Sequence, residues 1–219
     1  MLFTPCACPF DPTIYLANRR TQCDPGLPPP FRSADPMPLS PPVAREERHV
    51  RRIECRGFRR ADGLWDIEAH MVDTRAVETD HSWGGRIAAG EAVHDMWVRL
   101  TLDDGLLVHD VEAVIDRNPY PPCPQAAPSL AVLKGHRIAP GWSLLVRKLL
   151  GGAKSCTHLV ELLMPIATTA YQTMAPERRA HELAAGAPAA RPGKIDSCYA
   201  YSAQREVVAR FWPEFYEGP

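Results

Sequence analysis

The stretch Met96-Trp97-Val98-Arg99-Leu100-Thr101-Leu102, followed by Asp103-Asp104-Gly105 and then by Leu106-Leu107-Val108-His109-Asp110-Val111-Glu112-Ala113-Val114-Ile115, decides how this chain is read. Two runs rich in β-branched and aromatic residues, joined by a short Asp-Gly turn, predict an antiparallel hairpin. The second run ends at Asn118-Pro119-Tyr120-Pro121-Pro122-Cys123, where three prolines stop sheet pairing.

Upstream, Trp65, Ile67, Ala69 and Met71 alternate with polar residues, which predicts a further strand from Leu64 to Val72 with one buried face. Ala61-Asp62-Gly63 is a turn signal ahead of it, and order is expected to begin near Arg51. A Gly-rich connection over 81–90 leads to the hairpin. Downstream the pattern turns helical. One short segment covers 126–133 and a second covers Trp142 to Leu150, before Gly151-Gly152. The longest helix is expected from about Ser155, as its N-cap, to about Met174. Leu159, Leu163, Ile166, Ala167 and Ala170 form its apolar stripe, with Pro165 as a kink or break. Strands followed by helices predict an α+β domain over about 45–175: a small three-stranded antiparallel sheet covered on one face by about three helices.

The rest of the 219 residues divides around that domain. Residues 1–44 hold 11 of the 23 prolines and no sustained hydrophobic period, so a disordered leader is expected there. Met37-Pro38-Leu39-Ser40 reads as a natural start, with residues 1–36 an upstream extension and Cys6, Cys8 and Cys23 without function. Residues 176–194 read as an Ala-, Pro- and charge-rich linker. The aromatic tail, 195–219, is expected to dock on the domain, with Tyr199-Ala200-Tyr201 and Val207-Val208 as an edge hairpin.

Composition removes several classes of function. A net charge of -1 gives no basic surface for nucleic acid or anionic membrane. No run approaches the ~20 apolar residues of a membrane helix. Without a secretory start the expected compartment is the cytoplasm, where seven widely spaced cysteines stay reduced.

Those cysteines point to chemistry instead. Asp95 and His94 stand where the hairpin's first strand begins, and Cys123 lies in the loop between sheet and helices. Cys156 opens the long helix, with His158 two residues on. A helix N-terminus lowers a thiol pKa, and thiolate, imidazole and carboxylate together suit zinc or iron. Each residue also has a packing role open to it. Cys156 can be a small core residue, Cys123 inert among prolines, His94 and Asp95 a strand end, and His158 a surface partner of Glu161. His70, His109, His136 and His181 have no evident partner set, and Cys55 and Cys198 are further candidates from the flanks.

Three segments resemble the bacterial family called domain of unknown function 2889: Cys55 to Glu68, His94 to Thr101, and Gly151 to Leu163. The likeness covers Met37 to Met174 and implies a setting near aromatic-acid catabolism. More distantly, Ala92 to Ala170 is similar in order of features to the IscU and NifU N-terminal iron–sulfur scaffold family. Val93-His94-Asp95, Cys123 and Ser155-Cys156-Thr157-His158-Leu159 take the places of its three motifs. The resemblance implies an IscU-like fold with Asp95, Cys123 and Cys156 as ligands, and His94 or His158 as the fourth. Val93 stands in place of the first cysteine and the chaperone-binding segment is replaced by Lys148 to Gly152. Retained zinc or iron is therefore expected rather than an assembled Fe–S cluster.

The leading expectation is a metal-binding domain. The alternatives are a small metal- or thiol-dependent enzyme acting on a small molecule in aromatic or acyl catabolism, and a non-catalytic protein partner that uses the aromatic tail.

Overall fold

The computed structural model describes residues 39–81, 83–184 and 191–218. The expected leader up to residue 38, the Met37 start and residues 185–190 of the linker lie outside them. The chain divides into two units at Arg45/Glu46. The described residues of the first, 39–45, are exposed and form no regular element.

The second unit holds strands β1 (His49–Arg59) and β2 (Trp65–Arg75), a two-stranded ribbon of β3 (Thr79–Asp80) and β4 (Arg86–Ile87), then β5 (Ala92–Leu102) and β6 (Val108–Arg117). β1, β2, β5 and β6 make one antiparallel sheet in that order. The fold is α+β as expected, with four strands rather than three in its main sheet. β1 escapes the sequence pattern because it is an edge strand. Its inward positions are Arg51, Ile53, Cys55 and Gly57, too mixed in polarity to show a period of two.

The alternation read in β2 is real and continues one step further. Trp65, Ile67, Ala69 and Met71 are buried, and so is Asp73, at 1% exposure. On β5, Met96, Val98, Leu100 and Leu102 are buried beside them. The hairpin turn differs in detail, since Leu106 adopts a left-handed conformation with φ 65° and is buried. The Asp103 carboxylate accepts from the Leu107 N–H at 2.9 Å, and β6 begins at Val108.

A 3-10 helix, Cys123–Leu133, packs on β6. Helix α1 (Trp142–Leu150) follows with the limits read from the sequence. Helix α2 (Thr157–Ala184) lies across β1, β2 and β5. Its stripe of Leu159, Leu163, Ile166, Ala167 and Ala170 is buried, joined by Leu162 and Met174. It stays one helix across Pro165 and Pro176, ten residues beyond the expected end. The first intrahelical carbonyl belongs to Cys156, bonded by the Val160 N–H at 3.1 Å, so Cys156 is the N-cap. The Ser155 hydroxyl instead meets that of Ser129 at 2.7 Å, tying the loop to the 3-10 helix.

In the tail, Ile195, Ala203 and Val208 form a small cluster with Trp212 and Phe215. The expected edge hairpin is replaced by turns around Tyr199 and Tyr201 and by helix α3 (Glu206–Phe211). Three further apolar or aliphatic positions after Val207, namely Val208, Ala209 and Phe211, suit one short helical turn as well as a strand.

Gly57 explains how closely α2 approaches β1, because a Cβ there would overlap the Thr173 side chain. Gly57→Ala should destabilise the domain by about 1–3 kcal/mol, the usual cost of overpacking. Thr173→Ala in the same chain should recover part of that loss. Denaturant unfolding of the two single variants and the double variant measures the coupling.

Candidate metal centre

The inner row of the sheet ends in charge. Arg51 on β1, Asp73 on β2 and His94 on β5 are successive cross-strand partners. The start of α2 lies over this row and adds Cys156, His158 and Glu161.

Asp73 is gripped from both sides. Arg51 donates from Nε to Oδ1 at 2.8 Å and from Nη2 to Oδ2 at 2.7 Å. His94 Nδ1 lies 3.0 Å from Oδ2, and His49 Nε2 lies 3.4 Å from Oδ1. Burial alone would raise the Asp73 pKa, but the bonds and charge of Arg51, with His94, outweigh it and hold the carboxyl below its ordinary value. Arg51 also donates to Glu161 at 2.5 Å, which fixes the first turns of α2 to the sheet.

His94 is pushed the other way. Burial disfavours its cation, the hydrogen bond to Asp73 only partly offsets this, and its pKa falls below the usual histidine value. A neutral ring beside an acceptor-only carboxylate carries its proton on Nδ1 and donates it to Asp73. Nε2 is left with a free lone pair. The His158 ring lies 3.9 Å from that of His94, centroid to centroid, at 39°. Asp73, His94 and His158 each offer one ligating atom, and these three atoms lie within 4.8 Å of one another. An imidazole backed by a carboxylate through its second nitrogen is the usual arrangement at protein metal sites.

Cys156 joins through His158. Its Sγ is 3.8 Å from His158 Nδ1. Burial works against the thiolate, but the His158 imidazole and the N–H groups of Leu159 and His158 prevail and lower the pKa.

The five residues singled out in the sequence are therefore divided. His94 and His158 stand together, and Cys156 is beside them. Asp95 is not with them: its neighbours alternate across the sheet, and it lies on the outer face. There it meets His70 Nε2 at 2.8 Å, and the His70 ring stacks on Trp97 at 3.7 Å. His70 thus has the partners that the sequence did not reveal. Cys123 opens the 3-10 helix, half-buried. Among the described residues, none of Asp95, Cys123 and Cys156 belongs to the group of three close ligating side chains, and Cys156 touches that group only through His158. Cys55 packs against the core, its thiol raised by burial, and Cys198 is exposed in the tail. The carboxylate beside His94 is Asp73, which sequence reading missed together with Arg51.

The chain belongs to the family described as Protein of unknown function (DUF2889), whose pattern matches residues 49–172. That span includes every residue of the centre. No curated protein and no solved structure matches the chain. The likeness to the iron–sulfur scaffold family consequently has no support beyond the order of features along the sequence. Among the described residues, no helix is long and apolar enough to cross a membrane.

Both shifted groups make the domain acid-sensitive. The His94 pKa is lower folded than unfolded, so the unfolded chain takes the proton first. Its contribution is full above about pH 6.5 and declines as pH falls through the folded value. Asp73 contributes fully above about pH 3.9 and likewise loses its share below. Urea midpoints should therefore drop between about pH 7 and about pH 5.5, with a shallower drop in His94→Gln. An equal slope in the variant would contradict this account of His94. At neutral pH Asp73→Asn should cost about 3 kcal/mol, the lower end for breaking a buried pair, because Arg51 remains partly in water.

Proposed function

We propose that this domain is a metal-binding module that holds zinc or iron(II) at the Asp73–His94–His158 cluster. The observation that carries the reading is the convergence of the Asp73 carboxylate with the His94 and His158 imidazoles, one atom of each within 4.8 Å of the others, on two strands and one helix. Its electrostatics support it. A neutral His94 needs no deprotonation to bind a cation, and an ionised Asp73 behind it raises the basicity of the ring. Imidazole donors suit zinc and iron better than calcium or magnesium. A bound ion would join the start of α2 to β5, so binding energy would add to folding energy.

A second reading, a thiol-dependent enzyme, has Cys156 in its favour. Its lowered pKa and its place at the helix N-cap are what a nucleophilic thiolate requires. Aromatic or acyl compounds are the substrates that the family resemblance implies for it.

After anaerobic purification or reconstitution with zinc, wild-type protein should retain about one equivalent of metal through desalting. Free zinc at 100 times its Kd should stabilise the fold by about 2.7 kcal/mol. His94→Ala and His158→Ala should each abolish both effects. Retention below about 0.2 equivalents by the wild-type chain, by elemental analysis, overturns the reading.

A further inference from the structure

The metal reading leaves open which atoms would touch the ion, and the bonding around Asp73 bears on that. A carboxylate presents about four lone-pair directions. Arg51 Nε and His49 approach Oδ1, while Arg51 Nη2 and His94 approach Oδ2. At 1% exposure, Asp73 would have to surrender one of these partners to bind a cation directly. The two imidazoles then lack a third donor, and the side chain at hand is a thiol.

We infer that Cys156 supplies a thiolate to the same site, giving a His94–His158–Cys156 donor set that takes zinc or another borderline-soft divalent ion. This rests on the metal reading above. Cys156 Sγ and His158 Nδ1 are 3.8 Å apart. Two such donors sharing a tetrahedral zinc, at ~2.3 and ~2.1 Å from it, stand about 3.6 Å apart. The pair is thus already near the spacing of one edge of a coordination tetrahedron. Cys156 is fixed there by the N-cap of α2, and His158 by its tilted ring contact with His94. Two nitrogens and one sulfur leave a fourth position for water or a small ligand, as catalytic zinc sites do.

Cobalt(II) titration of the full-length, metal-free protein tests the assignment. Wild type should develop visible d–d bands together with a near-ultraviolet thiolate-to-cobalt charge-transfer band, both saturating at about one equivalent. Cys156→Ser should lose the charge-transfer band and keep the visible bands at higher cobalt concentration. Visible bands without charge transfer in the wild type would overturn the inference and leave the metal reading standing. A charge-transfer band that survives in Cys156→Ser would also overturn it, pointing to another cysteine. No cobalt spectrum at all would remove both. A measurement on the wild type alone does not depend on how the variant folds: zinc should protect Cys156 from alkylation in peptide mapping and leave Cys55 and Cys198 unprotected. Equal alkylation of Cys156 with and without zinc overturns the inference.

Discussion

An ionised carboxylate buried at the end of an apolar row is the constraint around which this domain is arranged. Asp73 follows Trp65, Ile67, Ala69 and Met71 on the inner face of β2, and removing its charge from water costs several kcal/mol. The compensation comes from the two neighbouring strands. Arg51 reaches it from β1, His94 from β5, and Arg51 passes a second bond to Glu161 on α2. One charge thereby ties an edge strand, a central strand and the first turns of the long helix together. An apolar residue at 73 would continue the row without that cost, so packing alone gives no reason for a carboxylate there.

What the sequence disclosed follows from periodicity. The hairpin, β2, α1 and the buried stripe of α2 each repeat at two or 3.6 residues over several turns or pleats, and each is present in the fold. β1 repeats nothing, because a sheet edge buries little and its inner positions hold an arginine, a cysteine and a glycine. The α2 limits shifted for local reasons. Cys156 took the cap from Ser155, whose hydroxyl bonds Ser129, and the run after Pro176, made mostly of the helix formers Glu, Arg, Ala and Leu, continues the helix.

The candidate site was half legible for the same reason. His94, Cys156 and His158 could be found as residue types at the right ends of elements. Asp73 could not be recognised while β2 was ended at Val72; carried one position further, the alternation places residue 73 on the buried face. Asp95 is marked in the sequence by its place at the start of the strand and in the first motif of the scaffold resemblance, yet in a strand it and His94 point to opposite faces. Contacts such as Arg51 to Glu161, 110 positions apart, leave no local trace at all.

That separation of His94 from Asp95 produces two histidine–aspartate pairs on the two faces of one sheet, and comparing them locates the chemistry. On the outer face His70 and Asp95 are 27% and 25% exposed, and the imidazole is covered by Trp97. Water competes for both partners, so the pair is worth little beyond holding the ring. On the inner face His94 and Asp73 are 13% and 1% exposed, both carry shifted pKa values, and a second imidazole and a thiol lie next to them. Low exposure strengthens each electrostatic contact there and makes any unmatched donor costly. The same two residue types thus serve as a surface contact on one side and as the frame of a ligand cluster on the other. The difference is set by strand parity and by where α2 begins.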